Sequence, residues 1–344
     1  MATPREPRAQ RALRLASGVA LCLTVSYGLG LELSFIAPIF ALFLLAKLNQ
    51  PLSFKAGLGL TLVVMLTTGS GLLLIPLLRY APVSGVLLVG LCLFLAFRHG
   101  LSGGNSLVTT FLVVGLTMIS AAGTAEFALA LKVISALVQG LLLAVLMLPV
   151  SHWLFPEPAG AQAPPAAPAL PAQETGWVAL RAALVVMPAY LLALIDPASY
   201  MAIILKSVGL GQQSCTATVR DAARELIGST LLGGLLAMLF WWALGLFVHL
   251  WMFFLWMLLF GLLVARKLYG FSPTRQSPGF WLNSLVTMII LLGLSVQDSA
   301  NGKDVYSAFV VRMALFVAIS LYAWLMVYLL DQYRQRRAIR QPGC

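Results

Sequence analysis

The sequence predicts an all-α polytopic protein that crosses a membrane many times. Of its 344 residues, 60% are hydrophobic and only 10% are charged, and the mean hydropathy is +0.95. A soluble domain of this size has too little interior to bury so much apolar surface, whereas a bilayer is a suitable solvent for it. The apolar residues also stand in long runs, which is typical of membrane-spanning helices.

Twelve predicted segments follow the apolar runs in chain order. A spanning helix needs about 20 apolar residues. Runs near this length cover 13–31, 54–77, 83–97, 107–121, 127–154, 177–195, 226–264, 280–296 and 305–330, and the run 226–264 must fold back near 245–249 to give two helices. Two further runs, 35–46 and 200–208, are too short to span comfortably. We predict half-helices or re-entrant segments there.

The distribution of positive charge sets the orientation. Lysine and arginine collect in the cytoplasmic loops of membrane proteins. With both termini in the cytoplasm, most of the 22 basic residues, Lys206 among them, fall on that side. Only Arg79 and Lys303 fall outside, while Lys132 and Arg312 lie within helices. We therefore expect a multi-pass protein of the bacterial inner membrane with both termini cytoplasmic.

Basic residues recur at the helix boundaries of the two halves. They are Arg14, Lys55, Arg98 and Lys132 in the first half and Arg181, Arg224, Arg266 and Arg312 in the second. This recurrence predicts two tandem repeats of six segments, with a short second segment in each. Because six is even, the two repeats run parallel. The predicted organisation is a basic cytoplasmic N-terminus (1–12), a first repeat (13–154), an extended or disordered Pro/Ala-rich cytoplasmic linker (155–176), a second repeat (177–330) and a basic cytoplasmic tail (331–344).

Three short motifs occur in the two halves. Ala12-Leu13-Arg14 begins the first helix and is matched by Leu180-Arg181 in the second half. The second segments contain Pro38 or follow Pro197. Arg224 precedes a third helix of the second half with glycines at positions 228, 233 and 234. Together these motifs resemble the fusaric acid resistance and aromatic acid exporter family.

The resemblance implies a proton-driven efflux component that works with a periplasmic membrane-fusion (adaptor) protein. Better-known relatives carry a sizeable soluble cytoplasmic domain after each membrane half. In this chain the first is reduced to the Pro/Ala-rich linker and the second to the basic tail. The chain therefore resembles a compact branch of the family. We expect it to export small aromatic or amphipathic organic acids.

Two cations within predicted helices are the first candidates for substrate binding. Lys132 and Arg312 occupy equivalent positions in the sixth and twelfth segments. Ionisable groups inside a bilayer are costly and often functional, and two cations that face a shared cavity would suit an organic anion such as a carboxylate. The alternative is that each cation reaches the outer interface or pairs with a nearby acid, which is Glu126 for Lys132 and Asp298 or Asp304 for Arg312.

Charged residues at the ends of the first helix of each half are further candidates. Arg181 either contacts substrate inside the protein or anchors its helix at the cytoplasmic face, and for Arg14 the anchor is the preferred interpretation. Asp196 and Glu32 end these helices on the outer side, where a carboxylate could carry a coupled proton. The competing interpretation of Asp196, which precedes Pro197, is an ordinary turn or helix cap.

The short second segments point most directly to a binding site. Broken hydrophobic segments at matching places in two repeats tend to mark one. We therefore predict that substrate lies near Phe35, Pro38 and Tyr200 and near the glycine-rich third segments. The alternative for the glycines is close packing between helices, which needs no ligand.

Several classes of function lack support in the sequence. There is no phosphate-binding loop, zinc-protease motif, nucleophile elbow or EF-hand, and the basic residues form no stripe typical of nucleic-acid binding. We expect no enzymatic activity, no catalytic or metal site, no cofactor and no nucleic-acid partner. The expected partners are membrane lipid, an organic anion, the adaptor protein and a second copy of the chain. The alternatives to a transporter are a non-transporting scaffold subunit of an export complex and, last, an intramembrane lipid-modifying enzyme.

Overall fold

A computed structural model describes residues 6–48, 50, 52–157, 172–216 and 223–340. Within these ranges the regular structure is helical and no strand is present. The start of the predicted basic N-terminus, most of the predicted linker and the end of the predicted tail lie outside the described residues. The prediction of an all-α fold of the polytopic membrane type is confirmed.

The helices of the described ranges form twelve continuous segments, the predicted number. A 3-10 turn (Ser70–Leu74) joins α3 to α4, a π turn (Gly115–Ile119) joins α6 to α7, and a second π turn (Arg224–Gly228) leads into α11. The helices are α1 Glu6–Gly28, α2 Ile36–Lys47, α3 Phe54–Gly69, α4 Ile75–Tyr80, α5 Pro82–Leu101, α6 Ser106–Val114, α7 Ser120–Ala125, α8 Phe127–Leu154, α9 Ala172–Ile195, α10 Pro197–Thr216, α11 Ser229–Leu246, α12 Leu250–Leu268, α13 Pro278–Ala300 and α14 Val305–Arg340.

Nine segments of the described ranges are long and apolar enough to cross a membrane. α2 has 12 residues, about 18 Å at 1.5 Å per residue, and is too short for a hydrocarbon core of about 30 Å. α1 and α10 are not among the nine, because α1 begins with several arginines and the end of α10 is polar. α10 has 20 residues and is therefore longer than the predicted run 200–208.

The chain divides into two compact units, and each unit contains helices from both halves of the sequence. Unit 1 comprises Met1–Met65, Val133–Ala167 and Leu231–Arg312. In its described part, α1 packs against α2 and α12, and α13 packs against α12 and α2. Phe240 of α11 is fully buried, and its ring lies against those of Phe253 and Phe260 in α12. Helices from opposite ends of the chain thus share one apolar core.

Unit 2 comprises Leu66–Lys132, Pro168–Thr230 and Met313–Cys344. α9 and α10 form its central pair, and only Asp196 separates them. α10 packs against α9, α6 and α7, while α5 packs against α9 and α6. As in unit 1, helices of the second half of the chain are surrounded by helices of the first half.

Glycines allow close crossings between the third and fifth segments of each half. In unit 2, a Cβ added to Gly71 would lie 1.9 Å from the carbonyl oxygen of Gly115. In unit 1, a Cβ added to Gly233 would lie 2.7 Å from the carbonyl oxygen of Ser284. Only glycine permits backbones to approach so closely. Gly71 and Gly115 also lie in the 3-10 and π turns, so both helices are distorted where they cross.

Candidate functional site

α2 is enclosed by protein along most of its length. Every residue from Ile36 to Leu42 is buried, as are Leu44 and Leu45. Seven consecutive buried residues cover nearly two full turns, so this helix presents no face to the surroundings. Phe35, the predicted substrate contact before α2, is also buried, and a Cβ added to Gly293 of α13 would lie within 2.5 Å of its ring. The Phe35 ring is therefore packed against the α13 backbone.

α10 is enclosed in unit 2 and carries a buried lysine. Lys206 is 1% exposed and lies in the middle of the helix, with Ile204 and Ser207 buried beside it. The count of basic residues put Lys206 on the cytoplasmic side, and the structure shows that its side chain is buried within a helix. The apolar run stops at position 208, but the helix continues for two more turns, where Gln212 donates a hydrogen bond to Thr110 of α6.

The two enclosed helices share a pattern of proline and lysine. Pro38 precedes Lys47 by nine positions in α2, and Pro197 precedes Lys206 by nine positions in α10. Lys47 is exposed at the end of its helix, whereas Lys206 is buried. The pattern was visible in the sequence, but only the structure distinguishes the two lysines.

Hydroxyl groups accompany Lys206 in the interior of unit 2. Tyr190 of α9 is fully buried, and its hydroxyl accepts a hydrogen bond from Ser120 of α7 at 3.2 Å. Gly211 of α10 packs against Val186 of α9. Because α9 and α10 are antiparallel, this register puts Lys206 about level with Tyr190 along the pair. The interior of unit 2 therefore combines a cation with hydroxyl donors, groups that can bind an organic anion.

Arg14 and Arg181 are both buried and ion-paired. In unit 1, Nη2 of Arg14 lies 2.8 Å from Oε2 of Glu157, which follows α8. In unit 2, Nη1 of Arg181 donates to both carboxylate oxygens of Asp331 in α14. Arg14 is 1% exposed, and its interpretation as a cytoplasmic anchor of the first helix stays a prediction. Each arginine lies in the first segment of a half, whereas Glu157 follows the sixth segment of the first half and Asp331 lies within the last helix.

Lys132 and Arg312 have different surroundings. Lys132 belongs to unit 2 and is exposed, and no described acid forms an ion pair with it. Arg312 belongs to unit 1 and binds both carboxylate oxygens of the buried Asp298. The prediction that Lys132 and Arg312 face one substrate cavity stays a prediction. The bonds between Arg312 and Asp298 favour the alternative, in which Arg312 pairs with a nearby acid.

The two candidate proton carriers lie at helix boundaries. Glu32 is exposed in the turn before α2, and its backbone carbonyl accepts a hydrogen bond from Gln297. Asp196 is half-buried between α9 and α10, and its backbone carbonyl accepts the N–H of Tyr200 as α10 begins. The backbone of Asp196 is that of a residue at a helix start, and the proton-coupling role of Asp196 and Glu32 stays a prediction.

The two predicted aromatic contacts lie in different units. Tyr200 is half-buried in the first turn of α10, in unit 2, whereas Phe35 belongs to unit 1.

The described residues contain no group of three His, Cys, Asp or Glu side chains that could hold a metal ion. Among the described ion pairs, Arg181 and Arg312 each bind one acid, whereas Arg11 and Arg14 share Glu157.

Comparison with known proteins gives one partial match. Residues 11–151 match the model of a family described as a protein of unknown function, DUF2955. The matched stretch begins in α1 and ends in α8, so it covers the six segments of the first half. No curated protein and no solved structure matches the chain.

Proposed function

We propose that the protein is an efflux transporter component of the bacterial inner membrane for small aromatic or amphipathic organic acids, coupled to protons. One observation carries the proposal, the buried Lys206 in the enclosed helix α10. Ionisable groups inside a membrane domain are costly and often functional, so the presence of Lys206 there favours a functional role. A lysine ammonium group can bind a carboxylate substrate through charge-assisted hydrogen bonds.

Matched features of the two halves support the predicted duplication. Each half has a buried arginine in its first segment, an enclosed second segment and a glycine crossing between its third and fifth segments. Many transporters are built from such repeats, with the substrate site at short or broken helices near the middle of the membrane. The bounds of the family match, 11–151, nearly equal those of the predicted first repeat.

The alternative function is a non-transporting scaffold subunit of an export complex. The short Pro/Ala-rich segment between the two halves favours it, because it leaves no room for a sizeable soluble domain there. If the protein is such a scaffold, Lys206 has only a structural role. Neutralising it would then leave transport by the complex intact whenever the protein still folds.

Uptake into everted membrane vesicles tests the proposal. Radiolabelled aromatic carboxylic acids are supplied with and without a proton gradient to vesicles that contain wild type, Lys206→Met or Lys55→Met. Lys55 is exposed at the start of α3 and is the matched control. We expect gradient-dependent uptake in wild type and Lys55→Met and its loss in Lys206→Met. Uptake no greater than in empty vesicles would favour the scaffold.

A further inference from the structure

Two arginines of α1 share a single carboxylate in unit 1. Nε of Arg11 donates to Oε1 of Glu157 at 2.6 Å, and Nη2 of Arg14 lies 2.8 Å from Oε2. Arg11 and Arg14 are three positions apart, so they lie on one face of the helix. Partial burial would raise the pKa of Glu157, but the hydrogen bonds and charges of Arg11 and Arg14 outweigh it and hold the pKa below its ordinary value. The cluster therefore carries a net positive charge.

Three other acids of unit 1 with described side chains lie elsewhere. Glu32 is exposed in the turn before α2, Asp298 pairs with Arg312, and Asp304 accepts hydrogen bonds from the first turn of α14. Among the described side chains of unit 1, Glu157 is therefore the one acid that pairs with Arg11 and Arg14.

Arg14 also has unused hydrogen-bond donors. Its side chain is 1% exposed, and its Nε and Nη1 have no hydrogen-bond partner among the described residues. A buried donor without a partner costs about 1–3 kcal/mol, and more when it is charged. A guanidinium group binds carboxylates and phosphates strongly. A small anion would satisfy both the charge and the donors of Arg14.

Tyr269 supplies a neutral hydroxyl near the two arginines. It follows α12 in unit 1 and is half-buried. Burial raises the pKa of Tyr269 to about 12, although the charges of Arg14 and Arg11 act in the opposite direction. The phenol therefore keeps its proton at neutral pH and can donate it in a hydrogen bond. Two cations and one hydroxyl donor thus lie close enough to interact electrostatically.

From this geometry we infer that Arg14, Arg11 and Tyr269 form a binding site for a small carboxylate anion, in which Glu157 occupies part of the site when no ligand is bound. In the predicted orientation the site lies at the cytoplasmic face. The identity of the ligand rests on the proposed function, whereas the presence of an anion site rests on the contacts of Arg14.

Calorimetric titration of the purified protein with benzoate tests the site. We compare wild type, Arg14→Gln, Glu157→Gln and the control Arg8→Gln, an exposed arginine on the same helix, and we repeat the series in a Lys206→Met background. Removing the competing carboxylate in Glu157→Gln should tighten benzoate binding by about tenfold. Arg14→Gln should abolish this binding, and Arg8→Gln should leave it unchanged. These effects should persist without Lys206.

Two further titrations test whether the site binds a free carboxylate, a free phosphate or a lipid headgroup. Inorganic phosphate and vesicles of phosphatidylglycerol replace benzoate in the same series. Arg14-dependent binding of phosphatidylglycerol without binding of benzoate would overturn the inference in favour of a lipid headgroup. Weaker benzoate binding in Glu157→Gln would overturn it as well, and this variant stays informative if Arg14→Gln fails to fold.

Binding and transport give independent results. Arg14-dependent benzoate binding without vesicle uptake would retain the site and reject the proposed function. Uptake of benzoate without Arg14-dependent binding would retain the function and reject the site.

Discussion

Arg181 of α9 and Asp331 of α14 form a two-bond ion pair across 150 positions of the chain. Nη1 of Arg181 donates to the two carboxylate oxygens of Asp331 at 3.1 and 2.9 Å. Arg181 is buried, and Asp331 is 21% exposed. The pair joins the first and last helices of the second half within unit 2, as the pair of Arg14 and Glu157 joins the first helix of the first half to the end of its sixth segment.

Loss of the Asp331 carboxylate should destabilise the protein. Asp331→Asn removes the carboxylate charge that accepts two hydrogen bonds from the buried Arg181, and breaking such a buried pair typically costs about 3 kcal/mol. Denaturant unfolding in detergent micelles measures the change. The control is Glu126→Gln, since Glu126 is exposed and forms no ion pair among the described residues. It should change the free energy of unfolding by less than about 0.5 kcal/mol. Equal losses in the two variants would contradict the structural role of the pair.

The contribution of Glu157 to stability should depend on pH. Its pKa is held below the ordinary value of 4.5 by Arg11 and Arg14. A lowered pKa means that the stabilisation is complete above the unfolded-state pKa and is lost as the pH falls through the folded-state pKa. Melting temperatures of wild type and Glu157→Gln should therefore differ at pH 7 and converge below about pH 4. A constant difference between pH 7 and pH 3 would show that the ionised carboxylate is not the cause.

The glycine crossing in unit 2 should not tolerate a methyl group. Gly71→Ala would bring its Cβ against the backbone of Gly115, which cannot move without displacing a helix. We expect a loss of about 2 kcal/mol or more, or failure to fold. Gly59→Ala in α3 is the matched control, because its Cβ would meet nothing within 4 Å. This control should be neutral or stabilising by up to about 1 kcal/mol. Similar effects of the two variants would refute the close crossing.

Lys132 and Arg312 should differ in their effects on stability. Arg312→Gln leaves the buried Asp298 without its cation and should cost about 3 kcal/mol, whereas the exposed Lys132→Met should cost little. If the two cations also share a substrate cavity, the folded double variant should lose uptake of aromatic acids. Normal uptake by a folded double variant would reject the cavity.

Local patterns in the sequence predicted the helices well. The apolar run 35–46 and helix α2 differ by one residue at each end, and the fold-back predicted near 245–249 is found between Leu246 and Leu250. These helix ends can be predicted from neighbouring residues, because the polar residues on both sides of a short apolar run mark where its helix begins and ends. The end of α10 was not predicted, because a hydrogen bond from Gln212 to Thr110 of another helix supports its polar last turns.

The burial and pairing of the charged residues could not be predicted, because they depend on contacts between residues far apart in the sequence. Arg14, Arg181 and Lys206 fit the positive-inside pattern as loop or interface residues, and nothing in their immediate sequence distinguishes a buried cation from an exposed one. Glu157 and Asp331 become partners only because the sixth segment of each half returns to the start of its first segment. The nine-position spacing from proline to lysine occurs at both Lys206 and the exposed Lys47, so it does not predict burial.

Transport by the purified protein in liposomes tests the central proposal most directly, because no other subunit is present. Proteoliposomes with wild type, Lys206→Met or Lys55→Met receive an imposed proton gradient and labelled benzoate. We predict gradient-driven benzoate movement in wild type and Lys55→Met, with the initial rate in Lys206→Met reduced by at least about tenfold. An equal rate in Lys206→Met, with the protein shown to be folded, would contradict the assignment of Lys206 to the transport site.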